Sequence, residues 1–513
     1  MSVMTVASLF SSEVSAQRSR HFDPPQHLEQ VKQNPAAYAA VDEFMMDLKQ
    51  GISILTDDSI FYLWQVVAPG AKGLQAYFSE LELGEEATLE VWGLFTNVQY
   101  IRSSDNANGG GHATKFFRGD RLNLMLKMPI GSEDAVVAKV DEVAYAFRDP
   151  YPPNARRDFK HSDSCQINVN CTEGAGWEDE LRSVVRISAK AGPSVFWCSG
   201  TLVNNTMQDC APYILSADHC ADGADADDLD QWVFYFQYQA DDCTTPGSEG
   251  VLDQKNMTGC TALAASTSQG DSDSDFLLVK LTSEVPQFYS PHFAGWDRRD
   301  LASNTGVSIH HPSGDIKKIS TFSAQPASDS WGTEPGTHWR VNWVATANGH
   351  GVTEEGSSGG PLFNSNKQVI GTLTGGASAC ENLGGNGPNE PDYFGKISWS
   401  WDQFGADSSQ QLKVWLDPTE SLVDEIEGID WPCLEEPIVS ISERDLRPWK
   451  VFPNPSTGEV QIQIQGELSS IQLLNIQGQL VQESGGREEL QLHLKPGIYV
   501  LKSGIYSEKL IVK

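Results

Sequence analysis

No stretch of this 513-residue chain approaches the run of about 18 consecutive apolar residues that a membrane-spanning helix requires. Basic residues are scarce: 36 Lys and Arg stand against 69 Asp and Glu, a formal net charge of −33. A field of that sign repels phosphate backbones and anionic membranes, so nucleic-acid binding is excluded as an expected function. Cysteine is absent outside Cys165–Cys433, which fits one disulfide-stapled domain between two cysteine-free ones in an oxidising compartment. The total of 9 is odd and leaves at least one thiol unpaired. Only 20% of residues are charged, while 45 Gly, 26 Pro and 14 Trp indicate a loop-rich β protein rather than a helical bundle or a disordered acidic chain. The length allows two to four domains at about 100–200 residues each.

Organisation follows from periodicity. The apolar stretch Val3 to Phe10, followed by Val14-Ser15-Ala16, has the spacing of a signal-peptidase site but lacks a basic leader, and residues 1–16 are expected to be the remnant of a signal peptide. From Ile54 to Phe147 the chain alternates with period two, as in Leu122-x-Leu124-x-Leu126-x-Met128, which reads as half-buried strands of a β-rich unit over 17–160. The Pro- and charge-rich run Asp149 to Asp158 reads as an exposed linker. A second unit over 161–432 has short β-rich runs broken by Gly, and one amphipathic helix is expected from Asp407 to Leu416, ended by Pro418. After an acidic linker at 433–448, residues 449–513 alternate again (Val460-x-Ile462-x-Ile464, Leu490-x-Leu492-x-Leu494) and predict a small β-sandwich.

The chemistry lies in the middle unit. Gly356-Ser357-Ser358-Gly359-Gly360-Pro361 puts a serine in a turn whose glycines allow tight backbone geometry and expose successive N–H groups suited to an oxyanion hole. Acyl transfer also needs an imidazole to take the hydroxyl proton and a carboxylate to orient that imidazole. His219 follows the apolar run Leu215-Ser216-Ala217, and Asp275 heads Phe276-Leu277-Leu278-Val279. Taken singly, a Ser-Gly-Gly turn is ordinarily only a turn and a lone His a structural residue. Three such motifs in the order His, Asp, Ser inside the cysteine-bearing domain make this region resemble the chymotrypsin-like serine proteases, which implies an all-β double barrel with the site between the barrels.

The resemblance narrows with Ser164-Cys165-Gln166-Ile167-Asn168-Val169-Asn170-Cys171, with Trp296-Asp297-Arg298-Arg299 and His310-His311-Pro312, and with Thr353-Glu354-Glu355-Gly356-Ser357-Ser358-Gly359. From about Ser164 to Pro418 the chain is similar to secreted bacterial lysyl endopeptidases. That resemblance implies His219 as general base, Asp275 as its orienting carboxylate, Ser358 as nucleophile and the N–H groups of Gly356 and Ser358 as oxyanion donors. It also implies the disulfides Cys165–Cys380, Cys171–Cys243 and Cys198–Cys220, leaving the pairing of Cys210, Cys260 and Cys433 open.

Specificity needs a separate argument, because the triad cuts any accessible peptide unless a pocket selects the preceding side chain. Trypsin-like enzymes hold an Asp six residues before the serine, where this chain has Val352. Asp392 falls where the resemblance places a lysine-binding carboxylate; read locally, Pro391-Asp392 is equally a turn. Trp331 matches a family Trp beside the site, but the His that stacks on it in the family is Thr374 here, which bears on the preference for Lys over Arg. Ser357 occupies the position of the Asp that pairs with a newly cut N-terminus in chymotrypsin-like zymogens, so activation by that route is not expected. The acidic runs Asp222 to Asp230 and Asp271 to Asp275 lack EF-hand spacing and read as solvated loops, so neither a metal nor a cofactor is expected.

The flanking units acquire roles from the same resemblance. The N-terminal unit, with Ala68-Pro69-Gly70-Ala71-Lys72-Gly73, looks like the propeptides of such proteases, and self-processing after Lys160 would give a chain starting at His161. Val451-Phe452-Pro453-Asn454-Pro455, Asn475-Ile476-Gln477-Gly478 and Gly497-Ile498-Tyr499-Val500 resemble the C-terminal sorting domain of the type IX secretion system. The expectation is therefore a monomeric, secreted serine endopeptidase acting on Lys-containing proteins, passing through the periplasm to the exterior. The alternatives are a protease of Arg/Lys or Glu specificity, or a binding protein on a protease scaffold that has lost a triad member. A Glu-specific pocket needs a His, against which Thr374 and Asp392 argue.

Overall fold

The computed structural model describes residues 19–34, 36–94, 98–106, 109–148, 162–246, 252–381, 386–405, 407–433, 449–464, 470–475, 479–485, 489–503 and 506–513. The expected linker at 149–158 and the expected signal-peptide remnant at 1–16 fall outside them. Strands dominate throughout, and the chain forms two units, Met1–Ile438 and Val439–Lys513.

Within the first unit the N-terminal part is built from two sheets. One has six strands centred on Ser59–Val67 and Arg121–Pro129; the other contributes Gly73–Phe78, Val137–Ala146 and Ala37–Asp47. Leu122, Leu124, Leu126 and Met128, the alternate positions read from the sequence, all point into the core between them. This second sheet does not end at the domain border. Ala37–Asp47 pairs antiparallel with Ser194–Leu202, the second strand of the first barrel, with Ser194 opposite Ala40 and Val195 opposite Ala39. One 13-stranded sheet therefore runs through both parts.

The strand Val184–Ala191 shows what that continuity does to side chains. Val185, Ile187 and Ala189 fill the first barrel, as period two requires. Arg186, Ser188 and Lys190 lie on the opposite face and are nevertheless buried, because the N-terminal part and adjacent aromatics cover them. The Ser188 and Tyr38 hydroxyls share a 2.6 Å hydrogen bond, Lys190 pairs with Glu142 at 2.8 Å, and the Arg186 guanidinium lies over the rings of Trp197, Tyr235 and Tyr238. Tyr38 stacks flat on Trp197 with centroids 4.3 Å apart, and Lys115 is paired with Asp253 at 2.6 Å with both side chains almost fully enclosed.

The first barrel is completed by Tyr213–Ala217, Val233–Phe236, Asn256–Thr258, Cys260–Ala265 and Phe276–Leu281. The second barrel comprises Gly306–His310, Lys318–Phe322, His338–Val341, Pro361–Asn364, Val369–Gly376 and Asp392–Lys396, around Trp339, Leu362 and Phe394. A third cluster that includes Leu215, Phe276, Ile309 and Phe363 packs the barrels against each other and fixes the seam between them. The expected helix from Asp407 to Leu416 is instead two short turns, Ser408–Gln410 and Lys413–Leu416. Asp407 caps the first through Ser409 N, and Gln411 is extended (φ −138°, ψ 133°), which interrupts the helical ladder.

Four disulfides staple this unit: Cys165–Cys380, Cys171–Cys243, Cys198–Cys220 and Cys210–Cys433. The last resolves the pairing that the sequence left open, and Cys260 is the buried free thiol.

The second unit is a small two-sheet sandwich. A three-stranded sheet (Trp449–Phe452, Glu459–Ile464, Glu489–His493) and a four-stranded one (Ser470–Asn475, Leu480–Gly485, Gly497–Ser503, Tyr506–Val512) enclose Trp449, Ile462, Leu473, Leu501 and Leu510.

Candidate active site

The three sequence motifs converge at the barrel seam. His219 sits in a 3-10 turn at the end of Tyr213–Ala217, and Asp275 stands just before Phe276–Leu281; those two strands are hydrogen-bonded neighbours. His219 Nδ1 meets Asp275 Oδ2 at 2.7 Å, and the His219 backbone N–H donates to Asp275 Oδ1 at 3.0 Å. Asp275 is fully buried and adopts a positive φ of 53°, a conformation an Asp tolerates at some cost. The turn before it offsets that cost: Asp273 accepts the N–H groups of Thr267, Ser268, Gly270 and Asp275. The acidic run Asp271 to Asp275 is thus a structured turn rather than a solvated loop. In the other acidic run Asp225 and Asp228 form a capping box, and Asp228 pairs with Lys190.

Burial pushes the His219 pKa down, but the Asp275 charge and hydrogen bond, helped by Asp218 and Asp222, outweigh it and leave the imidazole above its ordinary value. Beside it, burial and the charges of Asp275 and Asp273 raise Asp218 to about 7.

Ser358 comes from the turn before Pro361–Asn364 and is partly exposed at the seam. Its carbonyl accepts Ser199 N at 2.8 Å, and the neighbouring Gly359 N–H bonds Leu373 O, so both barrels grip this turn. Gly359 (φ +77°) has no room for a side chain: a Cβ there would lie 2.2 Å from Ser216 Oγ. Gly356 (φ +89°) packs on the loop at 311–314, where a Cβ would lie 2.9 Å from Gly314 N. Among the described residues, neither the Gly356 nor the Ser358 N–H donates to a backbone carbonyl, which leaves a pair of donors beside the hydroxyl.

Ser357 is fully buried, with its Oγ 2.7 Å from His310 Nδ1; His310 Nε2 lies 3.1 Å from Ser320 Oγ. Burial, with Lys318 nearby, lowers the His310 pKa to about 3, so a neutral imidazole–hydroxyl pair occupies the place of a charged one.

Asp392 opens the strand Asp392–Lys396 and pairs across to Gly376. It is completely buried, and its Oδ2 accepts from Trp343 Nε1 at 2.6 Å, Thr353 Oγ1 at 2.7 Å and Ser378 Oγ at 2.6 Å, while Oδ1 accepts Ser378 N at 3.1 Å. Burial raises its pKa, opposed by these donors. Trp331 is 44% exposed and lies over Gly375, where a Cβ would sit 3.1 Å from its ring. Trp331, Asp275 and Thr374 all close on Gly270, where a Cβ would lie 3.1, 3.3 and 3.3 Å from them. Its Oγ1 is 3.0 Å from Nε2 of the buried His338, which no sequence motif had singled out. A histidine therefore does stand next to Thr374, supplied by the strand His338–Val341 and not by the neighbouring sequence position.

A double barrel with an Asp-bonded histidine and an accessible serine at its seam is the architecture of the chymotrypsin-like serine protease class. Residues 159–395 match the model of the lysyl endopeptidase C-terminal domain, and residues 450–513 that of the secretion system C-terminal sorting domain. Two regions of the chain are thus similar to separate families, a lysyl endopeptidase C-terminal domain and a secretion sorting domain, and the second marks a secreted protein. It is 28% identical over 297 residues to the lysyl endopeptidase of Pseudomonas aeruginosa, a match covering 56% of this chain and 60% of that protein's length. Similar solved structures include a Glu endopeptidase in complex with MPD (16% identity, 46% of this chain and 94% of that one, TM-score 0.29). Another is the active form of a protease from M. tuberculosis (17% identity, 48% and 91%, TM-score 0.27).

Proposed function

We propose that this chain is a secreted serine endopeptidase that hydrolyses peptide bonds on the carboxyl side of lysine through His219, Asp275 and Ser358, and that its tail engages the type IX secretion machinery. The observation that carries the reading is the 2.7 Å His219–Asp275 contact at the same seam as the accessible Ser358 and the free Gly356 and Ser358 N–H groups. With Nδ1 committed to Asp275, Nε2 is the nitrogen left to take the Ser358 proton as Oγ attacks the scissile carbonyl. The oxyanion forms against the two N–H donors, the C–N bond breaks as His219 returns the proton to the leaving amine, and water repeats the sequence on the acyl-enzyme.

Lysine selection is read from Asp392, a fully buried carboxylate held by four accepted hydrogen bonds, and from the similarity to a lysyl endopeptidase. A carboxylate on the side of the pocket rather than at its base would leave little depth for a planar guanidinium, and on that reading Lys is favoured over Arg. The test is digestion of one denatured protein with the purified enzyme and mass-spectrometric reading of the cut sites. Cuts after Lys with few after Arg support the proposal; cuts after Glu or Leu overturn the specificity and leave only a generic serine protease.

A pH prediction follows from His219. The general base works as the neutral imidazole, and its protonated form is favoured by Asp275, so the residue loses its proton only above the ordinary histidine value of 6.5. The acid limb of kcat/KM is therefore expected to have its midpoint above pH 6.5, with activity lost below it. A midpoint well under 6 would show that the coupling to Asp275 does not persist in the working enzyme.

A further inference from the structure

Glu354 lies four residues before Ser358, inside the turn that carries the proposed oxyanion donors, and its side chain does not point toward the triad. Instead it gathers two distant segments. Oε1 accepts Asp163 N at 3.0 Å and Gln166 Nε2 at 2.7 Å, both from the stretch just after the linker. Oε2 accepts Ser313 Oγ at 3.0 Å, from the loop on which Gly356 packs. Its main chain belongs to the same knot: Glu354 O accepts Ser357 N at 3.0 Å, and Glu354 N donates to Ser357 Oγ at 3.2 Å.

We propose that Glu354 is a positioning residue for the oxyanion hole, fastening the turn at 354–358 to residues 163–166 and to Ser313 so that the Gly356 and Ser358 N–H groups stay aimed at one point. The inference rests on the reading of Ser358 as nucleophile. The need for a fastener is visible in the backbone. Gly356 has φ +89°, and Ser313, which it faces, is a non-glycine residue at φ +53°. Neither conformation is preferred by an isolated chain, and each persists only if its surroundings over-determine it. Ser313 is held by its own N–H to Glu355 O at 2.5 Å and by its hydroxyl to Glu354. The far side of the loop is held by Ser199, whose Oγ donates to Gly356 O at 2.9 Å and accepts His311 N at 2.9 Å. Loss of the Glu354 carboxylate leaves Ser313 held only through its N–H to Glu355 O, the carbonyl of the same peptide that carries the Gly356 N–H, while the far side stays fixed; with its anchor loosened, that peptide tilts the N–H away from the substrate oxygen.

A residue of this kind acts on the transition state and not on substrate binding, because the oxyanion exists only during reaction. In the purified full-length chain, Glu354→Ala is expected to lower kcat on a Lys-anilide and the rate of fluorophosphonate labelling together, by about 10–100-fold, somewhat less than loss of a whole oxyanion donor. KM should change by less than about twofold, and the unfolding midpoint should not track the loss. Glu354→Gln can still accept from Asp163 N and Gln166 through Oε1 while its amide meets the rotatable Ser313 hydroxyl, so it should recover most of the loss. Parent-like kcat and labelling in Glu354→Ala would overturn the proposal. So would a loss that Gln does not repair, or one matched by a fall in the unfolding midpoint, since either describes a general stability role. Unchanged labelling of Ser358→Ala, measured alongside, would instead refute the nucleophile assignment, so the two failures are distinguishable.

Discussion

Replacing Ser358 by alanine is expected to abolish turnover, by about 10⁶-fold in kcat if the triad acts as a unit, and to remove labelling by a fluorophosphonate altogether. The fold should be untouched. The Ser358 contacts with the scaffold run through its carbonyl, to Ser199 N at 2.8 Å and within reach of Cys220 Sγ, so the hydroxyl can be deleted without breaking them. The same variant reports on maturation: if the enzyme cuts its own linker after Lys160, the alanine form accumulates as the larger precursor, while the parent begins at His161. A variant that still takes up the probe would mean that the wrong serine was chosen, and one that matures normally in isolation would rule out self-processing.

The second large effect is expected at Asp392. Removing the charge from one partner of a buried ionic contact costs roughly 3–5 kcal/mol, or about 10²–10⁴ in kcat/KM for Lys substrates. Asp392→Asn should show that loss while a fluorophosphonate still counts the full complement of reactive Ser358. The titration matters because Asp392 also has a structural load. Three donors converge on Oδ2, and an amide nitrogen turned toward Trp343 Nε1 would leave two donors facing each other. The amide is therefore expected to keep its oxygen at that position and to turn its nitrogen toward Ser378 N, which loses a single bond. Near-normal Lys cleavage by the variant would end the lysine assignment.

Much of this was legible because it is written locally. The Gly-Ser-Ser-Gly-Gly turn, the His219 and Asp275 strand ends and the alternation of Val460 and Ile462 are short-range patterns, and each turned out to mark the element it suggested. What the sequence concealed is long-range. His338 reaches Thr374 through a bond between residues 36 apart, and nothing near either position signals the other. Glu354 reads as part of a motif, yet its partners lie 191, 188 and 41 residues away. Arg186, Ser188 and Lys190 are polar residues alternating with apolar ones along a single strand, yet all three are buried, because the N-terminal part and the rings of Trp197, Tyr235 and Tyr238 cover them, and cover of that kind has no signature in one strand alone. The interrupted helix at 407–416 is the converse case, in which apolar periodicity was present and the backbone at Gln411 took the extended state instead.

The antiparallel pairing of Ala37–Asp47 with Ser194–Leu202 changes what scission of the linker can accomplish. A cut at the linker removes the covalent tether only, and the ladder, the Tyr38–Trp197 stack and the enclosed Lys115–Asp253 pair all persist. Before the cut, the two parts face each other at the high effective concentration of a tethered pair; afterwards their association becomes bimolecular and obeys mass action. Separation is then governed by dilution, as happens when a protein leaves a crowded envelope for open medium. Once apart, the protease presents a raw β-edge at Ser194–Phe196, three residues from Ser199, whose N–H holds the Ser358 carbonyl. An unpaired edge of that kind is a template for extended peptide, so the strand that leaves would vacate a berth for another chain on the strand that also holds Ser358.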